Sequence, residues 1–304
     1  MPESTVVRRT WQRIRVTKAV KGLRNTPALH AVVAPFWYGQ NVDQYSPFVA
    51  RELTRRLRPD RSPTRYTLRS QELSVRIRHN HVDANILEEV FGRKVYEPPA
   101  SAAAQLPRDA DLTLLDIGGN IGMFAVFALA RWPRSKVISF EPDPQNIAVL
   151  KQCIVDNAIA DRWASIEAAA STSNGMLTFL SVGGGTSRVA SVAPRGGKLI
   201  EVEAIDIFDW FGQADLIKMD IEGGEWPILM DERFGAALPP VLVLEYHPEG
   251  CPVTDSYGAV SDRLTHLGYE IEHVPSQDDY EDTGIVWAWR SPSPRSAENT
   301  PEPG

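Results

Sequence analysis

Leu112 to Gly122, LTLLDIGGNIG, is the stretch on which the fold reading rests. Its apolar residues Leu112, Leu114, Leu115 and Ile117 predict a buried parallel strand closing around Asp116, before a turn that carries Gly118, Gly119 and Gly122. The next residues, IGMFAVFALARW, are apolar around most of a helical circumference, which predicts a helix packed directly on the sheet. Glycines let a ligand approach the backbone closely, and the free N–H groups of a helix start favour an anionic group. The unit is suited to a nucleotide-like molecule.

The spacing within the turn narrows the choice. A dinucleotide fingerprint has G-x-G-x-x-G, whereas this turn reads G-G-N-I-G with Asp116 two residues ahead. An Asp at a strand end followed by G-x-N-x-G resembles the first motif of S-adenosylmethionine (SAM)-dependent methyltransferases. A plain tight turn would also use these glycines, so the rest of the chain has to decide.

With 304 residues, 43% of them hydrophobic, the chain can bury a large core. Its longest apolar run, Ile121 to Ala130, is well short of the roughly 20 residues that span a bilayer. Only Cys153 and Cys251 occur and no secretion signal opens the sequence, so a cytoplasmic location is expected. The net charge of −7 is unevenly divided. Residues 1–78 hold 16 basic and 5 acidic side chains, net +11, leaving 16 basic and 34 acidic, net −18, for the rest. The basic arm suits packing on the acidic body. Val6 to Leu23, with Val7, Trp11 and Ile14 among six basic residues, would equally suit a peripheral contact with an anionic membrane. No nucleic-acid partner is expected, because interleaved aromatics are lacking and the body is acidic.

Punctuated by prolines, Asn25 to Pro47 reads as loop, and a short helix follows to about Arg58. Tyr66 and Leu68, then Leu73, Val75 and Ile77, alternate as in a hairpin; Asp83 opens a helix that Gly92 can end. From Asp111 the order strand, helix, strand, helix implies a parallel sheet with right-handed crossovers. The second strand, KVISFE, runs into EPDPQN, where Asp143 can cap a helix that has Pro144 at its first position. Glu141 lies where an acid accepts both ribose hydroxyls of an adenosine. A third strand is expected over Ala164 to Ala169. Strands at MLTFLS and Ile200 to Ile207 flank the segment Gly183 to Gly197, read as a mobile loop able to close over the site.

The stretch Asp215 to Ile221, continuing to Trp226, reads LIKMDIEGGEW after its first residue; period two would put Lys218, Asp220 and Glu222 on one side. Three charges at the end of an apolar strand are costly to bury without partners or ligands. PVLVLEYH also ends in charge, with Glu245 and His247 sharing a face. A helix over Tyr257 to Leu267 and strands at Tyr269 to Val274 and Ile285 to Trp289 complete the sheet. The polar, proline-rich tail is expected to be disordered.

LLDIGGNIGMFA, FEPDPQN, LIKMDIEGGEW and LEYHPEG, in this order, together resemble the FkbM-type family of SAM-dependent methyltransferases. The resemblance covers Asp83 to Arg290 and is most specific at K-M-D-I-E-G-G-E. It implies an α/β fold, the class I methyltransferase Rossmann-like sheet of seven mostly parallel strands with helices on both faces, here with an N-terminal α+β cap. Three regions are expected: an extension and cap over 1–108, the SAM-dependent domain over 109–290, and the tail over 291–304. The implied activity is methylation of a hydroxyl on a sugar, glycan or polyketide-type natural product. Carried over, Asp116, Gly118, Asn120 and Gly122, with Gly119, would surround the methionine part of SAM. Glu141 with Pro142 would hold the ribose, and Ala169 and Ser171 would lie near the adenine. Asp220 is the first candidate for the base, followed by His247 and Glu222, with Lys218 beside them. A divalent ion held by Asp220 or Glu222 with Glu245 and His247 is the competing use of these groups; no metal ligand is assigned. A nicotinamide-dependent oxidoreductase and a non-catalytic SAM-binding protein are the alternative functions. Acceptor identity and oligomeric state are not encoded legibly.

Overall fold

The computed structural model describes residues 27–57, 62–69, 71–181, 188–189, 198–275 and 282–290. The basic Val6–Leu23 run, the C-terminal tail and most of the Gly183–Gly197 segment lie outside the described residues. Among the described residues, no helix is long and apolar enough to cross a membrane.

The N-terminal part consists of helices α1 (Pro27–Tyr38) and α2 (Tyr45–Thr54), the hairpin β1 (Thr64–Thr67) and β2 (Ser74–Ile77), helix α3 (Asp83–Leu87) and the short α4 (Ala100–Ala103). Where the prolines predicted a loop, α1 forms instead. Pro27 stands at its first position, where the missing N–H is an orphan anyway, and Pro35 is accommodated while Ala34 and Tyr38 bury beside it. Gly92 does not end α3. The helix widens into a π-turn over Glu88–Arg93 and stops at Lys94, which is left-handed at φ 56°.

The main sheet orders its strands β12 (Glu270–Pro275), β13 (Gly284–Trp289), β11 (Val241–Tyr246), β10 (Leu216–Met219), β3 (Thr113–Ile117), β4 (Lys136–Phe140) and β5 (Trp163–Ile166). Every neighbouring pair is parallel except those made by β13. Between β5 and β10 the chain builds a separate four-stranded sheet, β6 (Ala169–Ser171), β7 (Gly175–Ser181), β8 (Arg188–Val189) and β9 (Lys198–Asp206), ordered β6-β9-β7-β8. The third strand therefore ends at Ile166, and Ala169 begins β6 in the second sheet.

The centre of the main sheet is buried on both faces, which is why β3 and β10 are mostly apolar, with Asp116 and Lys218 the buried charged pair between them. Leu115, Ile117, Ile217 and Met219 pack on one side with Trp226, Ile228 and Leu229 of α8 (Glu225–Met230), which lies between α7 (Phe208–Phe211) and α9 (Glu232–Ala236) in the chain, and with Leu264 of α10 (Ser256–His266). Leu114, Leu216 and Trp287 pack on the other with α5 (Met123–Arg131) and, in the same cluster, the cap residues Phe48, Tyr66, Ile77 and Leu87. Arg76 bonds Asp156 through two nitrogens at 2.7 and 3.0 Å, and the Ser74 N–H donates to Asn157 at 2.7 Å, so β2 is tied to α6 (Pro144–Asn157). Asp143 caps α6 by accepting from the Gln145 N–H at 2.8 Å.

Candidate active site

Strand order reverses between β3 and β10, since β4 and β5 lie beyond one and β11 beyond the other. Ligands of such sheets bind outside the carboxyl ends of the strands at that point. A cleft of about 590 Å³ opens here. The Gly118 and Gly119 N–H groups donate to Phe140 O at 3.0 and 2.9 Å, and the Asp220 N–H donates to Ile117 O at 3.1 Å, which fixes the two post-strand turns. Gly118 has φ 82°, and a Cβ on it would collide with the Asp220 carbonyl oxygen. The turns thus touch backbone to backbone, as only glycine permits.

Gly118, Asn120, Glu141, Pro142 and Ala169 line the cleft, as do Asp220 and Glu222. The remaining candidates stand elsewhere. Gly119 faces Ser139 and Leu150, and Gly122 faces the Trp163 ring, so both serve packing of the turn. Ser171 sits half-buried on β6, outside the cleft wall. Asp116 and Lys218, register partners on β3 and β10, lie buried beneath it.

Beneath the cleft a polar chain runs across three strands. Trp163 Nε1 donates to Ser139 Oγ at 2.9 Å, and that hydroxyl donates to Asp116 Oδ2 at 2.8 Å. Asp116 Oδ1 has no hydrogen bond, and burial raises its pKa against the pull of Lys218 and Ser139. Lys218 Nζ donates to Gly118 O at 2.6 Å and lies 3.5 Å from Asp116 and 3.4 Å from Asp220. Burial works against its charge, but Asp220 and Asp116 outweigh it and its pKa is raised. Lys218 is therefore a fixed cation joining the two turns. Glu141 accepts from the Asn120 N–H at 2.7 Å and the Asp143 N–H at 2.8 Å; burial pushes it up to about 7 despite both bonds.

The other end of the cleft is crowded with carboxylates. Asp220 and Glu222 lie past the end of β10, so period two does not set their directions; Glu222 is left-handed at φ 54°. Burial, then the charge of Asp220, raises Glu222 to about 7 and Glu245 to about 8. Tyr96, from the cap, has its hydroxyl 3.5 Å from Asp220 Oδ2 and 3.4 Å from Glu245 Oε2. His247 Nδ1 is 3.1 Å from Glu225 Oε1, and Nε2 is 3.7 Å from Glu222. Burial disfavours the imidazolium, yet the Glu225 bond and the surrounding carboxylates raise His247 to about 10. A protonated imidazole cannot take a proton, so these surroundings set His247 behind Asp220 as a base.

The model of the FkbM methyltransferase domain matches residues 116–271, just over half of the chain. The chain belongs to the FkbM methyltransferase family. Among curated relatives, the methyltransferase sdnD of Sordaria araneosa is 24% identical over 202 residues, covering 54% of this chain and 75% of that protein. Methyltransferase 1 of Beauveria bassiana is 33% identical over 67 residues, 22% of this chain and 24% of the relative. Among solved structures, methyltransferase FkbM from Methylobacillus flagellatus KT superposes with a TM-score of 0.44 at 16% identity, covering 87% of this chain and 60% of that one.

In this FkbM-family site, ligand atoms of Asp220, Glu222 and His247 lie within 4.8 Å of one another. A metal held there would have to displace the proton that the carboxylates favour on His247 and compete with the Lys218 ammonium 3.4 Å from Asp220. Several cleft residues escape sequence reading. Phe140, Asn146, Phe179 and Ile221 line the wall, and Tyr96 reaches the acids from the cap. An aromatic ahead of Pro98 and Pro99 in KVYEPP is the single hint for Tyr96.

Proposed function

We propose that the protein is a SAM-dependent O-methyltransferase acting on a hydroxyl of a sugar, glycan or polyketide-type natural product. One observation carries this reading: a single cleft joins the glycine turn and Glu141 at one end to Asp220 and Glu222 at the other. The residues fit the cofactor. Asn120 Oδ1 is a buried acceptor without a hydrogen bond in the turn, matching a donor of an amino-acid ammonium, and Glu141 keeps lone pairs for a ribose diol. When bound, SAM supplies a methyl group already activated on a sulfonium.

The protein's own contribution is alignment, exclusion of water and removal of one proton. Asp220 takes the acceptor's hydroxyl proton as the carbon–oxygen bond forms, an assistance worth about 10² to 10⁴ in rate. Lys218 stands 3.4 Å from Asp220 and fixes the turn beneath it. Tyr96 donates its one proton to Asp220 or to Glu245, orienting the acid from the cap side.

The test is mass spectrometry of candidate glycosides, or of an extract, incubated with the protein and isotopically labelled SAM. A product heavier by one labelled methyl supports the reading. SAM binding without any labelled product would instead support a non-catalytic SAM-binding protein.

Two further outcomes are expected. Glu141→Ala should weaken SAM binding by about 1.5 to 3 kcal/mol, the range for a hydrogen bond to a charged group, read by calorimetry. Unchanged affinity would remove Glu141 from the ribose. Activity should persist in excess chelator; its loss, with recovery on Mg²⁺ or Mn²⁺, would reinstate Asp220, Glu222 and His247 as ligands.

A further inference from the structure

We propose that Glu225 is the positioning residue of this site: its carboxylate ties the turn after β10 to the residue after β11, and so aims Asp220 and Glu222 into the cleft. Glu225 opens α8 and is fully buried. Oε2 accepts the Gly223 N–H at 2.8 Å, while Oε1 accepts the His247 N–H at 2.8 Å and faces His247 Nδ1 at 3.1 Å. One anion thus gathers three donors from two separate loops. The indole of Trp226 reinforces the joint by donating to His247 O at 2.8 Å. Gly223 has φ 96°, and a Cβ there would lie 2.6 Å from Glu249 O, so the turn is seated against the loop after β11.

A helix-opening acid is usually accounted for by the helix dipole. Burial argues otherwise here, because a dipole effect needs no burial, whereas an anion taken out of water must be matched by donors, as this one is. The neutral isostere cannot replace it. A glutamine presents one oxygen and one amide NH₂, and the NH₂ would have to face either the Gly223 N–H or the His247 N–H, donor against donor. Whichever contact is lost, the segment between Asp220 and Gly224 is released at one end.

The kinetic part of the test rests on the methyltransfer reading; the exchange part does not. In Glu225→Gln, amide exchange at Gly223 and His247 should accelerate about tenfold or more, with β3 and β12 retaining their protection. With labelled SAM and the acceptor extract, kcat should fall about 10²-fold while SAM affinity stays close to that of the unaltered protein. A cycle with His247→Gln discriminates further. If Glu225 acts through the joint, its substitution adds little in the His247→Gln background, whereas independent roles would give multiplying losses. Should Glu225→Gln fail to fold, Glu225→Asp retains the charge but cannot span both loops, and the same readouts apply. Multiplying losses, SAM affinity lost in step with kcat, or unchanged exchange at Gly223 and His247 would each overturn the proposal. An absence of methyl transfer in the unaltered protein, with the exchange result intact, would overturn the functional reading alone.

Discussion

Asp220→Asn should lower kcat by roughly 10² or more while SAM affinity changes by no more than a few-fold. Asparagine keeps the shape of the side chain and removes its charge, and with it its ability to take a proton. Lys218 loses one ion pair at 3.4 Å but keeps Gly118 O at 2.6 Å and Asp116 at 3.5 Å, so the floor of the cleft persists. Calorimetry with SAM and single-turnover measurement of labelled methyl transfer separate the two effects. Proportionate loss of SAM binding and turnover would place Asp220 among the cofactor contacts. An unchanged kcat would pass the base role to Glu222, the other carboxylate lining that end of the cleft.

Gly118→Ala should be the most damaging glycine-to-alanine change among the described residues. The residue sits at φ 82°, where a Cβ carries strain of its own, and that Cβ would collide with the Asp220 carbonyl, whose carbon would be 2.9 Å away. Because the obstacle is backbone, no rotamer change relieves it, and the two turns must separate. We expect a loss of about 3 kcal/mol or more in urea unfolding, at or beyond the upper end of ordinary substitutions, together with loss of SAM binding. Gly212→Ala is the internal control, since nothing lies within 4 Å of its added methyl and its φ of −63° suits alanine. A Gly118→Ala protein that unfolds at the same urea concentration and still binds SAM would show that the turns are not in backbone contact.

The parts of the fold legible in the sequence are those whose cause is local. Buried parallel strands are apolar along most of their length, so TLLDI and LIKM stand out despite Asp116 and Lys218, and Asp143 followed by Pro144 states a helix start in two residues. Reading α1 as loop fails because proline breaks only an isolated helix reliably; burial of Ala34 and Tyr38 against the cap decides the matter at long range. The second sheet is illegible for a related reason. Alternation marks β7 and β9 as strands, but nothing within them says which sheet they join. At the site, types were readable and directions were not. Glu222 leaves β10 through a left-handed residue that period two cannot foresee. Glu225, in the same E-G-G-E, passes for an ordinary acid at a helix start until its burial is seen.

The cap and the sheet share one apolar cluster, in which Tyr38 and Phe48 belong with Trp287 and Trp289. For biosynthesis this is an awkward order. The cap leaves the ribosome before the sheet, and the last strand of the face it covers leaves 249 residues after Tyr38, a delay on the order of 10 to 50 seconds at about 5 to 20 residues per second. Throughout that interval Phe48, Tyr66 and Leu87 lack their final partners, so the nascent chain presents an apolar surface until the sheet arrives. Moving the gene's start to a surface loop after the cap, and rejoining the cap behind Trp289, would let the sheet emerge before the segment that closes over it.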